Sequence, residues 1–238
     1  MTKNRDFFYL QYNKINWRNQ EKTKINASTN EHIIRDILLK HEGDSISLFD
    51  MGFGVGFFIK MFLDAAREKS HNIHVEGCEP STVNYGHFAS KKPEEVTNLY
   101  QDGFLETQTE STFDYITAIY VFPHFLTEDL EDVAKKINRM LKPGGKFMLV
   151  LANEEYLKEK LANQKDLFIE SGEVSWNRKN YNEVLHYSDI PEIGKVIDYN
   201  REEQFYLDLF ATTGFSLEKQ EVLNDNGFVC SLFVFKKK

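Results

Sequence analysis

Apolar and polar positions along the chain form blocks of two kinds, one typical of strands and one typical of helices. Short apolar runs predict five strands, at residues 46–50, 72–79, 98–102, 113–120 and 146–152. Apolar residues at helical spacing predict helices between them, at residues 55–69, 81–90 and 127–141. Strands separated by helices predict parallel β-α-β units with right-handed crossovers.

Several helix ends carry signals of their own. Ser28 and Glu31 have the spacing of a capping box, which predicts a further helix beginning near Ser28. Thr127 has the side chain of an N-cap residue at the start of the helix over 127–141. Pro143-Gly144-Gly145 ends that helix and leads into the fifth predicted strand.

The end of the chain departs from the parallel pattern. A helix over residues 201–213 precedes two apolar runs, and Asp225-Asn226-Gly227 between those runs predicts an antiparallel hairpin. Residues 1–27 and 153–200 are polar with interleaved aromatic residues and fit neither pattern. We therefore predict one domain with four parts: an N-terminal cap (1–27), a core (46–152), an insertion or lid (153–200), and a C-terminal helix and hairpin (201–238).

Composition and charge narrow the class of protein. The 238 residues are 41% hydrophobic and 28% charged, which is ordinary for a globular domain. The net charge is −8 with no long basic run, which argues against nucleic acid as a partner because phosphate contacts need clustered Lys and Arg.

No apolar run approaches the roughly 18 residues of a membrane span, and no signal core follows Met1, so we predict a cytoplasmic protein without membrane contact. Cys78 and Cys230 lie in apolar runs and predict buried, reduced thiols, and no residue spacing predicts a metal site.

The segment Asp50-Met51-Gly52-Phe53-Gly54-Val55-Gly56 carries the clearest functional signal. A buried strand ends in an acid, and three alternating glycines precede a helix. Glycine permits close backbone approach and positive φ, and open α/β sheets bind ligands at the carboxyl ends of their strands. A dinucleotide site needs a third glycine where Phe57 stands, and the Asp50 carboxylate suits a cationic ligand better than a pyrophosphate.

Two further acids end the next two predicted strands. Glu79 ends the second strand, and a carboxylate there can accept hydrogen bonds from both hydroxyls of a ribose. Asp102 ends the third strand, before Gly103 and Phe104, and can accept a hydrogen bond from an adenine amino group. An Asp before Gly is also a common turn former. Three acids at three successive strand ends indicate a ligand site more specifically than any one acid does alone.

These motifs resemble the class I S-adenosylmethionine (SAM)-dependent methyltransferases, in particular the small-molecule branch with a type-11 methyltransferase domain. The resemblance covers residues 46–151 most clearly and 201–237 more weakly. It is carried by Asp50-x-Gly52-x-Gly54-x-Gly56, Glu79, Asp102, residues 113–118 and Leu141-Lys142-Pro143-Gly144-Gly145. It implies a doubly wound, Rossmann-like α/β fold with a seven-stranded, mostly parallel sheet in the order 3-2-1-4-5-7-6, in which strand 7 is antiparallel.

The resemblance also implies SAM as the methyl donor and S-adenosylhomocysteine (SAH) as the product. The residues assigned to the donor site are Asp50, Gly52, Gly54, Gly56, Glu79, Asp102, Gly103, Phe104 and Tyr120. His124 and Tyr120, after the fourth strand, are the candidate catalytic residues, with His124 as general base where the acceptor must lose a proton. Family members often carry two adjacent histidines where this chain has Pro123-His124, so an orienting or structural role for His124 is the alternative.

We therefore predict methyl transfer to an oxygen or nitrogen atom of a small-molecule acceptor by in-line displacement, in a monomer or homodimer. Side chains of the cap and the insertion are predicted to roof the acceptor pocket: Tyr9, Tyr12, Trp17, Trp176, Arg178 and Tyr181. The alternatives are a SAM-binding regulatory or scaffold protein without turnover, a methyltransferase acting on protein or RNA, an aminopropyl transferase, and a nicotinamide-dependent oxidoreductase.

Overall fold

A computed structural model describes residues 24, 26–163, 184–190 and 194–238. The helices are α1 (Ala27–Lys40), α2 (Phe57–Glu68), α3 (Thr82–Ala89), α4 (Leu130–Met140), α5 (Glu154–Asn163) and α6 (Glu203–Thr212). The strands are β1 (Ser45–Met51), β2 (Asn72–Cys78), β3 (Val96–Tyr100), β4 (Phe113–Ile119), β5 (Leu141–Ala152), β6 (Val184–Ile190), β7 (Gly194–Asn200), β8 (Phe215–Asp225) and β9 (Phe228–Lys237). Two short 3-10 turns, Phe122–His124 and Thr127–Asp129, follow β4.

Seven of the strands form one sheet in the order β3-β2-β1-β4-β5-β9-β8. Neighbouring strands from β1 to β5 are parallel, whereas β9 is antiparallel to both β5 and β8. Among the described strands, β6 and β7 form a separate pair. With that pair set aside, β8 and β9 are the sixth and seventh strands, which confirms the predicted order 3-2-1-4-5-7-6 and the antiparallel seventh strand.

Apolar side chains cover both faces of the sheet, as expected for parallel strands with helices on either side. Alternate residues of β1 enter different cores: Ile46 and Leu48 pack with α1 and α2, whereas Phe49 and Met51 pack with α4 and α6. Because both faces are covered, the edge at the carboxyl ends of the strands is left for a ligand.

The helix starts differ from the capping signals in the sequence. The predicted capping box of Ser28 and Glu31 is wrong, because Asn26 occupies the N-cap position of α1 and makes no side-chain cap hydrogen bond. The Thr29 amide donates instead to the Asp225 carboxylate at 3.0 Å, a contact between residues 196 positions apart. The predicted cap by Thr127 is also wrong, since α4 starts three residues later at Leu130. The start of α1 is supported by this long-range contact, which a local pattern does not contain, whereas the 3-10 turn Thr127–Asp129 directly precedes the start of α4.

Two segments gain strand structure beyond the prediction. The Leu141-Lys142-Pro143-Gly144-Gly145 turn is the beginning of β5, where the register with β4 shifts and Gly144 has a φ of 74°. The predicted insertion contains α5 and the β6–β7 pair, which the polar composition of residues 153–200 did not indicate. The division of the chain into cap, core, insertion and C-terminal part stays a prediction. Within the described residues, no helix is both long and apolar enough to cross a bilayer.

Candidate functional site

The sheet register brings the carboxyl ends of four parallel strands together. Asp50 in β1 lies opposite Gly77 in β2 and Thr117 in β4. Beyond the paired residues, the Phe53 amide donates to the Cys78 carbonyl at 3.2 Å, which joins the glycine loop (residues 52–56) to β2. The Glu79 amide donates to the Tyr100 carbonyl at 3.0 Å, which joins β2 to β3. The three acids predicted for the donor site thus follow neighbouring strands.

Each glycine of the glycine loop has a positive φ, but their surroundings differ. A Cβ atom on Gly52, whose φ is 62°, would lie 2.8 Å from the Val121 side chain, and one on Gly56, whose φ is 78°, would lie 2.2 Å from the Phe88 ring. A Cβ on Gly54, with a φ of 56°, would meet no atom within 4 Å. Gly52 and Gly56 are therefore required by packing, whereas Gly54 borders open space at the strand ends.

Glu79 is held by the backbone around it. Its side chain is 4% exposed, and its two carboxylate oxygens accept hydrogen bonds from the Gly54 amide at 2.8 Å and the Ser81 amide at 2.9 Å. Burial raises the pKa of Glu79 to about 7, while these two amides and the Asn84 side chain oppose the rise. Each oxygen keeps a further lone pair, so the carboxylate can still accept hydrogen bonds from a ligand.

Asp50 is the second buried acid of the site. It is 3% exposed and accepts a hydrogen bond from the Thr117 hydroxyl at 2.7 Å. Burial raises the pKa of Asp50 to about 7, the Thr117 hydrogen bond lowers it, and the nearby charge of Glu79 raises it further. Both buried carboxyl groups thus have pKa values near neutrality. A nearby positive charge would stabilise their ionised forms.

The third predicted acid has a different environment. Asp102 is exposed, whereas the next two residues, Gly103 and Phe104, are buried. The Phe104 ring packs edge-on against Phe49 in β1, with 6.0 Å between ring centroids. This segment after β3 therefore presents one exposed carboxylate from a backbone that is anchored in the core.

Tyr120 and His124 lie at the carboxyl end of β4. Tyr120 has a φ of 58°, and its ring packs edge-on against Phe228 with 5.6 Å between centroids. Burial and the neighbouring Cys230 raise the pKa of the Tyr120 hydroxyl well above its usual value, so this hydroxyl stays protonated. His124 is partly buried and ends the first 3-10 turn, with its amide donating to the Val121 carbonyl at 3.0 Å. The catalytic role of either residue stays a prediction.

Three residues of this region were not identified from the sequence. Thr117 holds Asp50, and a polar residue within the apolar second half of β4 was the available signal. Val121 packs against the glycine loop and joins the end of β4 to the end of β1. Arg201, which is 5% exposed, donates to the Phe125 carbonyl at 2.8 Å and to the Thr127 hydroxyl at 3.0 Å. Local sequence gives no sign of that last contact, which spans more than 70 residues.

Six side chains predicted to roof the acceptor pocket lie outside the described residues: Tyr9, Tyr12, Trp17, Trp176, Arg178 and Tyr181. Both cysteines are buried and free, as predicted. No group of three His, Cys, Asp or Glu side chains within the described part of the chain is arranged to hold a metal ion. The site thus combines two buried carboxyl groups, one exposed carboxylate and the open space at Gly54, and its chemistry suits a cationic ligand that also carries hydrogen-bond donors.

Comparison with known proteins decides the family. A family model described as a methyltransferase domain matches residues 23–220. The chain belongs to this methyltransferase family. The match includes the glycine loop and all three acids at the strand ends, and it confirms the predicted enzyme class. No match was found among curated proteins.

Solved structures share the fold of this methyltransferase at low sequence identity. The 1,6-didemethyltoxoflavin-N1-methyltransferase from Burkholderia thailandensis, with its acceptor and SAH bound, gives a TM-score of 0.63 at 15% identity, covering 98% of this chain and 87% of that chain. Magnesium protoporphyrin IX methyltransferase from Synechocystis PCC 6803, with bound SAM, gives 0.59 at 12%, covering 88% and 78%. The N-methyltransferase NodS from Bradyrhizobium japonicum WM9, with SAH, gives 0.58 at 11%, covering 89% and 86%. Their ligands agree with the cofactor predicted for this chain.

Proposed function

We propose that this methyltransferase transfers the methyl group of SAM to an oxygen or nitrogen atom of a small-molecule acceptor. The observation that carries the proposal is the pair of buried carboxyl groups, Asp50 and Glu79, beside the open space at Gly54. Burial raises both pKa values to about 7, and none of the groups that shift them within the described residues is a cation. A cationic ligand would stabilise the ionised form of both carboxyl groups.

SAM fits the chemistry of this site. It carries an ammonium and a sulfonium group, which suit two neighbouring carboxylates, and two ribose hydroxyls, which can donate to Glu79. Gly54 has no side chain to fill the adjacent space. Asp102 is exposed on the third strand end, where it can accept a hydrogen bond from the adenine amino group. In this assignment the cationic part of the donor is held by Asp50, the ribose by Glu79 and the adenine by Asp102.

The reaction requires little covalent help from the protein. The donor supplies a methyl group on an already activated leaving group, so the chain must mainly hold the acceptor in line with it. Well-oriented reactions gain roughly 7–11 kcal/mol in this way. The end of β4, with Tyr120, Val121 and His124, lies beside the glycine loop and is the proposed acceptor side. His124 would accept a proton there if the acceptor has one to lose.

Two considerations support a small-molecule acceptor. Among proteins with this fold, those named above include a toxoflavin-type N-methyltransferase and a magnesium protoporphyrin methyltransferase. The chain itself has a net charge of −8 with no long basic run, which is unsuited to a polyanionic substrate. These observations favour a small molecule over RNA.

The test combines binding and turnover. Calorimetry should show that the protein binds SAM and SAH, and incubation with methyl-labelled SAM and a metabolite extract should move the label into a low-mass product. Asp50→Asn should abolish most of this transfer, whereas Glu110→Gln, which changes an exposed acid after β3, should not. Absence of SAM binding by the parent protein would overturn the proposal. Binding without label transfer would indicate a regulatory protein, and label in protein or RNA would indicate a macromolecular substrate.

A further inference from the structure

The segment after β3 folds into a tight turn around Gly103. The Gly103 carbonyl accepts hydrogen bonds from the Glu106 amide at 3.1 Å, from the Thr107 amide at 3.0 Å and from the Thr107 hydroxyl at 3.0 Å. Gly103, Phe104 and Thr107 are buried, whereas Asp102 is exposed just before the turn. The turn of residues 103–107 therefore sets where the Asp102 carboxylate stands.

Lys136, a residue of α4, holds this turn from the other side. Its ammonium donates to three acceptors, the carbonyls of Phe104 at 2.6 Å, Leu105 at 3.1 Å and Thr107 at 2.5 Å. The same nitrogen lies 5.0 Å from the centroid of the Phe104 ring, within the range of a cation–π contact. An ammonium has three donors, and here all three have an acceptor in one turn.

The arrangement differs from that of an ordinary surface lysine. The preceding residue, Lys135, is exposed and pairs with Glu131 one helical turn earlier, at 2.5 Å. Lys136 is partly buried, and burial lowers its pKa. Hydrogen bonds between a charged group and neutral acceptors are about twice as strong as those between neutral groups. Lys136 thus anchors one particular turn through its charge.

We propose that Lys136 is a positioning residue for the adenine end of the methyl donor, because it fixes the turn that places the Asp102 carboxylate. This inference rests on the proposed function and adds a residue that acts through the turn without touching the donor. Loss of the ammonium frees the three carbonyls of the turn, and Asp102 then loses its fixed position. The consequence is a loss of discrimination at the adenine amino group.

The experiment measures that discrimination directly. Calorimetry compares SAH with S-inosylhomocysteine, in which a carbonyl oxygen replaces the adenine amino group and would face the Asp102 carboxylate. The parent protein should prefer SAH by about tenfold or more, the scale of one hydrogen bond to a charged group. Lys136→Met should bind SAH roughly tenfold more weakly and reduce the preference to within about twofold. Lys135→Met, the matched control on the same helix, should keep both values.

Each outcome decides the inference. If Lys136→Met keeps the preference for SAH, or if the parent protein shows none, Lys136 does not position an adenine-reading carboxylate. An equal loss of affinity for both ligands would show a purely structural role. If Lys136→Met does not fold, Lys136→Arg should show a smaller loss of the same preference, because its guanidinium keeps the charge but does not present three donors from one nitrogen to the three carbonyls. Failure of the parent protein to bind SAH at all would instead refute the proposed function.

Discussion

The ends of β1, β2 and β3, which form the proposed donor side, differ in construction from the end of β4, which forms the proposed acceptor side. On the donor side, Glu79 and Asp50 are held by Gly54, Ser81 and Thr117, through backbone amides and one hydroxyl of the parallel core. On the acceptor side, distant parts of the chain supply the contacts. Arg201 reaches the Phe125 carbonyl, and Phe228 packs on Tyr120.

Because of this difference, we expect the two sides to tolerate different amino-acid substitutions. The donor side depends mainly on backbone geometry within residues 50–104, so it needs glycines and buried acids at fixed places, and Thr117 and Lys136 support it from outside that range. The acceptor side depends on side chains that follow the β6–β7 pair or belong to the terminal hairpin, and these can change without altering the glycine loop. A common donor site with a variable acceptor site is the arrangement expected when one fold serves many substrates.

The largest expected effect is a loss of unfolding free energy. It distinguishes a glycine needed for packing, Gly56, from a glycine beside the proposed donor, Gly54. Gly56→Ala places a methyl group 2.2 Å from the Phe88 ring at a φ of 78°, and should cost about 3–5 kcal/mol of unfolding free energy from strain and overpacking. Gly54→Ala is the matched control, because its methyl group enters open space, and should cost only about 1–2 kcal/mol. Urea unfolding measures both. Gly54→Ala should nevertheless weaken SAH binding, and unchanged affinity would place the donor elsewhere.

A second variant tests whether the acceptor side is stabilised separately. Arg201→Met leaves the carbonyls of Phe125 and Tyr199 without their charged donor and should lower the unfolding free energy by about 2–4 kcal/mol. SAH affinity should stay within about twofold, since Arg201 donates to Phe125, Thr127 and Tyr199, which lie outside the glycine loop. Arg201→Lys keeps the charge and should restore part of the stability. A parallel loss of SAH affinity would show that the two sides are not independent.

The third prediction addresses the charge of the donor side. Asp50→Asn keeps an acceptor for the Thr117 hydroxyl but removes the negative charge, and should weaken SAM binding by about 1.5–3 kcal/mol. Calorimetry at pH 8, where the parent carboxyl is ionised, measures the difference. Equal affinity of variant and parent protein would remove Asp50 from the donor site.

The smallest expected effect is the pH dependence of binding. The pKa values of Asp50 and Glu79 are raised to about 7, so their neutral forms stabilise the unliganded fold at low pH, and that contribution is lost as the pH rises through 7. A cationic ligand needs the ionised forms, so SAM affinity should rise by at most about tenfold for each acid over the whole interval from pH 6 to pH 8, because the ionised fraction of a group with a pKa near 7 rises about tenfold there. Calorimetry in buffers of different ionisation enthalpy counts those protons. A flat profile would show that both acids are already ionised without ligand.

Most of the donor side was predictable because its signals are local. Asp50, the three glycines and Glu79 lie within thirty residues, and each follows directly from a strand end. The helix starts were less predictable, because Asp225 rather than Ser28 serves the first turn of α1. Lys136 carries no local signal at all, since its partners lie about thirty residues earlier in another turn.

The sequence by itself determined the order of strands and helices outside residues 153–200, the family, and the acids and glycines at the strand ends, because periodicity and short motifs are properties of neighbouring residues. The tertiary structure alone decided how those groups are held. It buried Asp50 and Glu79 until their pKa values approached neutrality, turned the Tyr120 hydroxyl into the protein, and brought Lys136 and Arg201 to their carbonyls. Burial and long-range hydrogen bonds depend on which segments meet in space, and a one-dimensional pattern does not contain that information.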